Sequence, residues 1–193
     1  MSLRPRMLLL APFLAAAPLA AAEASFGGQI HLAKPLGAFS DSGRLDNRLG
    51  FGLGIQAPVD FGAGHILRPK LDYLAFSRGG GDRRYKADSL LLMADYTYFV
   101  AEEAEGGYLI AGLGFHSTRL DAAKTFGPVT ARGRKTHNGL AYNVGLGYAF
   151  NRNVGMEVKY LGMDMGELGY NLPGAYDAGF MANAIVGTLS FRF

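Results

Sequence analysis

Large apolar side chains alternate with small or polar ones in eight separate stretches of the chain. They run about Phe26 to Lys34, Leu49 to Ala57, Ile66 to Phe76, Ser89 to Phe99, Tyr108 to His116, Leu140 to Phe150, Val154 to Leu161 and Asn183 to Phe193. In Leu140 to Phe150, Leu140, Tyr142, Val144, Leu146, Tyr148 and Phe150 alternate with Ala141, Asn143, Gly145, Gly147 and Ala149. Successive side chains of a strand point to opposite faces, so each stretch predicts a strand with one apolar face. The last stretch ends on Phe191, Arg192 and Phe193. Chain ends usually fray, so a terminal aromatic held in register needs a reason.

The connections alternate in length. Short ones are expected at Pro58 to Gly64, Val100 to Gly106 and Asn151 to Asn153, and long loops at Pro35 to Arg48, Ser77 to Asp88, Ser117 to Gly139 and Gly162 to Ala178. That rhythm predicts an all-β fold, an eight-stranded antiparallel up-and-down transmembrane barrel with short turns on one side and long loops on the other. An even strand count lets the last strand pair with the first and leaves no open edge. The large apolar face would meet lipid. The glycine-rich opposite face carries Lys70, Asp72, Asp95, Glu157, Lys159 and Arg192, which predicts a lumen network of paired charges. Arg192 is expected to face Glu157 or Asp95. Eight strands enclose an interior just wide enough for side chains, so the lumen is expected to be plugged or very narrow. Tyr98, Tyr148, Phe150, Phe191 and Phe193 fall near the short turns or the terminus and are expected to form an interfacial aromatic girdle.

Composition supports the same compartment. Arg4 and Arg6, an apolar run from Met7 to Leu19 and A-x-A patterns at Ala20 to Ala24 form a secretory signal too short to span a bilayer. Residues 1–22 are therefore expected to be removed, with cleavage after 24 as the alternative, leaving the barrel at 23–193. Losing Arg4 and Arg6 from 19 basic residues leaves 17 against 16 acidic ones, a charge of +1; cleavage after Ala24 also removes Glu23 and gives +2. A near-neutral chain gives no reason to expect nucleic acid as a partner. There are no cysteines, hence no disulfide framework and no thiolate metal site.

These features resemble the small eight-stranded outer-membrane barrels of the OmpA/OmpX type, a porin-family group. The resemblance is carried by the glycine/apolar alternation of Leu49–Ala57 and Leu140–Phe150, by A-D-Y-T-Y-F at Ala94 to Phe99, by G-M-E-V-K-Y at Gly155 to Tyr160 and by the terminal S-F-R-F. It covers essentially the whole mature chain. It implies the bacterial outer membrane, contact with outer-membrane lipid and lipopolysaccharide, and reading of Phe193 by the barrel-assembly machinery. The sequence stops at the barrel, so the peptidoglycan-binding domain of full-length OmpA-type proteins is not expected. The chain also has no tryptophan, which many relatives place in their girdles.

Candidate chemistry is thin. His116 and Ser117 are adjacent, so on a strand they point apart and cannot share a proton. The H-x-S spacing that lipid A deacylases of this architecture share is missing. His31, His65 and His137 have no serine in a plausible arrangement, the four histidines are far apart in sequence, and Asp41/Asp46 and Asp164/Glu167 lack the ligand count of a calcium loop. Gly79-Gly80-Gly81 opens no helix and reads as a loop tip. The second and third long loops are basic, with Arg83, Arg84, Lys86, Arg132, Arg134 and Lys135 as candidate contacts for anionic lipid or glycan, and the fourth is acidic through Asp164, Glu167 and Asp177. The expectation is a non-enzymatic, cofactor-free, monomeric outer-membrane protein supporting envelope integrity and surface interaction. Its alternatives are a small channel for water or solutes and a lipid A-modifying enzyme.

Overall fold

The computed structural model describes residues 23–41, 45, 48–80, 83–101, 105–126, 129–166 and 181–193; the expected signal segment lies outside them. Eight strands form the wall: β1 Gly27–Leu36, β2 Gly50–Gln56, β3 His65–Gly80, β4 Arg83–Phe99, β5 Gly106–Phe126, β6 Val129–Ala149, β7 Val154–Asp164 and β8 Met181–Arg192. Each pairs antiparallel with its neighbour in sequence, and β8 closes on β1 from Asn183 opposite Leu36 to Arg192 opposite Gly27. The closed ladder satisfies the backbone groups that hydrocarbon cannot. Below the wall, Glu23–Ala24 pairs with Val59–Asp60 beneath the first short turn.

Alternation sets the faces as expected. Leu53, Leu113, Leu146 and Phe115 are each more than 60% exposed and project outward, an arrangement that suits lipid rather than water. The girdle candidates Tyr98, Tyr148, Phe150 and Phe193 are exposed at the end of the short turns, and Phe191 is half-buried beside them.

Two of the expected long loops are strands instead. Ser77–Gly80 and Arg83–Asp88 continue β3 and β4, and Ser117–Phe126 and Val129–Gly139 continue β5 and β6. The strands β5 and β6 reach 21 residues each, against 7 in β2. Once a wall rises out of lipid, both faces can be polar, so the apolar alternation stops while the backbone ladder goes on. Thr118, Thr125, Val129, Thr130 and Thr136 supply the β-branched residues that suit such a sheet. Gly79 and Gly80 pair with Arg84 and Arg83, so they belong to a hairpin rather than a separate loop. The wall is therefore unequal: β3 to β6 stand above the rim as a four-stranded sheet, while β1, β2, β7 and β8 stop near it.

The interior is layered. At the short-turn end, Ile66, Phe99, Tyr108, Ile110 and Ala149 form one apolar cluster. Toward the opposite mouth, Leu74, Phe76, Leu91, Met163 and Met165 belong to a second, joined by Phe39 from the short helix α1 (Ala38–Asp41) and by Leu45. Phe39 meets Phe76 edge-on at 5.3 Å. Polar side chains fill the space between the two clusters.

Candidate functional site

Two arrangements stand out: the polar layer inside the wall and the basic surface of the raised sheet. In the first, β3 contributes Arg68, Lys70 and Asp72 at successive inward positions, β4 contributes Asp95, and β7 contributes Glu157 and Lys159. All six are at least 95% buried. Arg68 Nη1 donates to Glu157 Oε1, and Arg68 Nη2 lies 3.7 Å from Asp95 Oδ2. Lys70 Nζ reaches Asp95 at 2.8 Å and Asp72 at 3.2 Å, and Lys159 Nζ reaches Glu157 at 2.7 Å and Asp95 at 3.9 Å. Three cations thus face three carboxylates. Neutral donors complete the set: Asn143 Nδ2 donates to Asp95 Oδ1 at 2.7 Å and Tyr108 OH to Glu157 Oε1 at 2.9 Å. Burying charge is tolerable only with this density of partners.

The glycines make room. A Cβ on Gly112 would lie 2.1 Å from Asp95 Oδ1, and one on Gly54 would lie 2.0 Å from Asp72 Oδ1. The gap left among His31, Lys70, Asp72, Asn143 and Lys159 is about 20 Å³, room for about one water.

Of the six residues expected in the lumen network, Lys70, Asp72, Asp95, Glu157 and Lys159 come together. Arg192 lies lower: it is half-buried at the short-turn end, where its backbone exchanges hydrogen bonds with Asn153, and its charge interacts with Glu157 and Tyr108 without forming one of the ion pairs just described. It is the last residue of β8 and pairs with Gly27, several residues below the ionic layer, which is why it cannot face Asp95. Sequence reasoning did not single out Arg68, which shares the inward parity of Lys70 and Asp72 and bridges Glu157 and Asp95. It also missed a chain of contacts across the closing seam. His31 Nε2 lies 3.1 Å from Asp72 Oδ1, and His31 Nδ1 lies 3.0 Å from Thr188 Oγ1. The carboxylate accepts from Nε2–H, which leaves Nδ1 to accept from the threonine hydroxyl. No local motif could reveal a partner 157 positions away.

The histidines are closer together than their spacing in sequence suggests. His116 is opposite Gly139 and His137 opposite Thr118, so the two are neighbours on β5 and β6. His116 Nε2 donates to the Asp164 carbonyl at 2.8 Å, and Thr118 Oγ1 lies 2.8 Å from Nδ1, so both ring nitrogens are engaged. Ser117 has the opposite parity on the strand. Among the described residues no group of three His, Asp or Glu side chains is placed to hold a metal ion. Asp164 Oδ1 accepts from the Gly166 amide at 2.9 Å; Asp46, Gly81, Glu167 and Asp177 lie outside the described residues, as does the side chain of Asp41.

On the raised sheet, Arg84 and Lys86 of β4 and Arg132 and Arg134 of β6 share a face. Their register aligns Lys86, Asp121 and Arg134 in one row and Arg84, Ala123 and Arg132 in the next. Arg134 Nε donates to Asp121 at 2.6 Å, and Arg119 Nε lies 3.3 Å from the other oxygen of that carboxylate. The Arg134 hydrogen bond holds the Asp121 carboxyl below its usual range. A concavity of about 630 Å³ lies against this face. Lys135, expected with these residues, has the opposite parity and points to the other side; for Arg83 only the backbone is described.

Known structures share the architecture. The N-terminal β-barrel domain of Pseudomonas aeruginosa OprF is 14% identical with TM-score 0.52, over 88% of this chain and 97% of that one. Ail of Yersinia pestis is 16% identical with TM-score 0.54 over 88% and 97%, and its complex with the heparin analogue sucrose octasulfate gives 14% and 0.56 over 89% and 99%. Neisserial surface protein A is 19% identical with TM-score 0.50 over 89% and 99%. No curated protein matches the chain in sequence. The model of the outer membrane protein β-barrel domain matches residues 7–193, and the chain, with its closed eight-stranded antiparallel wall, belongs to that family of bacterial outer-membrane proteins.

Proposed function

We propose that the protein is a non-enzymatic, non-conducting outer-membrane barrel that supports the envelope and interacts through its raised sheet. The observation that carries this reading is the ionic layer closed above and below by apolar side chains. A solute pathway would need continuous polar space, and the gap inside the layer holds about one water. The same closure argues against chemistry. The Thr188–His31–Asp72 chain has the order of hydroxyl, imidazole and carboxylate used to activate a nucleophile, but no substrate fits beside it. The terminal strand, with Phe191 and Phe193 at the short-turn end, is the segment we assign to the barrel-assembly machinery. The raised sheet supplies the interacting surface, and its cations favour an anionic ligand; Ail, with the same fold, has been seen with a sulfated sugar.

Planar-bilayer recording tests the reading. Purified protein should leave the bilayer silent. Discrete openings in most insertions would overturn it in favour of a channel. Lipid A recovered from cells with and without the protein should give the same mass spectrum, and a lost or added acyl chain would restore the enzyme.

A further inference from the structure

One polar atom in the mouth of the barrel is left bare. His137 faces inward from β6 and is 7% exposed. Its ring hydrogen-bonds the Met165 backbone, whereas Nε2 is buried and has no partner among the described residues. The bonded nitrogen is therefore Nδ1, which carries the proton and donates to the Met165 carbonyl. That bond fixes the tautomer and leaves the Nε2 lone pair directed into the interior. Burial, with Lys135 and His116 nearby, holds the imidazole below its usual range, so Nε2 stays unprotonated in neutral solution. A buried acceptor with nothing to accept from calls for an explanation.

Two thioethers stand beside it. β7 presents Met163 and Met165 inward, 0% and 1% exposed. Met163 is opposite Ala141. Gly139, the inward position between Ala141 and His137, carries no side chain, and a Cβ there would lie 2.1 Å from the Asp164 carbonyl oxygen. Thr118, opposite His137, has its hydroxyl 4.0 Å from Met163 Sδ. That hydroxyl has one proton to give. His116 Nε2 donates to the Asp164 carbonyl, so its Nδ1 takes the Thr118 proton at 2.8 Å and the sulfur keeps its lone pairs.

An imidazole nitrogen with two thioethers is a soft donor set, which selects a monovalent ion such as copper(I). A zinc-type site would need further nitrogen or carboxylate ligands, and among the described residues no group of three is placed to supply them. Methionine has three rotatable bonds, so both sulfurs can swing toward one ion. We propose that the mouth of the barrel captures one copper(I)-class ion between His137 Nε2, Met163 Sδ and Met165 Sδ. Below it the ionic layer, with room for about one water, stops the ion from passing further. The site needs neither a conducting lumen nor an anionic ligand on the raised sheet.

Silver(I), a redox-inert ion with the same ligand preference, is the probe. Silver nitrate is titrated in chloride-free buffer into the full barrel in detergent, and native mass spectrometry counts the ions bound. Wild type should hold one silver ion more tightly than any other. His137→Gln and, separately, Met163→Leu/Met165→Leu should each weaken that ion at least about a hundredfold, because losing even an outer-shell partner of a metal ligand costs about ten- to a hundredfold. Met156→Leu, exposed on the lipid face, should leave it unchanged. Leucine keeps the volume of methionine, and unshifted gel mobility of the folded barrel checks each variant. In nitrogen NMR of wild type, the ion should move the His137 Nε2 signal and leave His65, at the short-turn end, in place. Should one variant fail the mobility check, the other variant and the NMR signal decide. Wild-type affinity in a folded variant, or an unmoved His137 signal, overturns the proposal. So does a loss in Met156→Leu equal to theirs, or zinc held as tightly as silver.

Discussion

Replacing Arg68 with Met should destabilise the folded barrel by about 3–5 kcal/mol, the cost of stranding a buried charge whose partner is removed. Arg68 is fully buried and is the residue that joins Glu157 to Asp95. Without it, three carboxylates face two amines in a space with room for about one water. Urea titrations in detergent, followed by the mobility difference between folded and unfolded barrel, would measure the loss. The diagnostic step is the second substitution. Glu157→Gln alone should also cost several kcal/mol, whereas Arg68→Met with Glu157→Gln restores the charge balance and should cost clearly less than the two single losses combined. Additive losses would mean that the ionic layer is a set of independent contacts rather than one network.

Gly145→Val should prevent β6 and β7 from pairing, with a loss of at least about 3 kcal/mol, at the upper end of what overpacking costs. A Cβ at Gly145 would lie 2.3 Å from the Val158 carbonyl oxygen and 2.8 Å from the Lys159 Cα. Both are backbone atoms of the neighbouring strand, so no side-chain rotation relieves the clash. Gly28 gives the contrast: its Cβ would meet only the Gly54 carbonyl oxygen at 3.9 Å, so Gly28→Ala should be close to neutral. The fraction of each variant recovered as folded barrel after refolding into detergent would decide. A Gly145→Val barrel as stable as wild type would show that β6 and β7 can part without loss of the ladder.

The membrane-spanning part of the fold was legible because lipid imposes a strict rule. Leu140 to Phe150 alternates without a break since every second residue must face hydrocarbon, and the same rule located seven other strands. Where water replaces lipid the rule lapses, and Thr118 to Phe126 and Val129 to Gly139 read as loops although their backbones pair residue for residue. The lumen shows a similar division. Parity alone put Lys70, Asp72, Asp95, Glu157 and Lys159 on the inside. It carried no height, so it did not show that Arg192 sits at the lower edge of this group, within reach of Glu157 but not of Asp95. Arg68 has the same parity as Lys70 and Asp72, but its role as a bridge depends on two carboxylates from other strands. The basic residues were visible as charge. That Arg84, Arg132 and Arg134 look outward over the lipid while Lys135 looks the other way emerges only when strand parity is carried past Leu90 and Leu140.

The unequal wall also orders events in time. Its tall half is made of consecutive hairpins, with β3–β4 and β5–β6 each turning back within a few residues. Such neighbours find each other quickly, because little chain must be ordered to bring them together. The short half holds the seam, where β1 meets β8 across almost the entire polypeptide. Zipping of the raised sheet should therefore come first and closure last. His31 and Thr188 would then be among the final groups to meet, so that bond reports completion of the barrel.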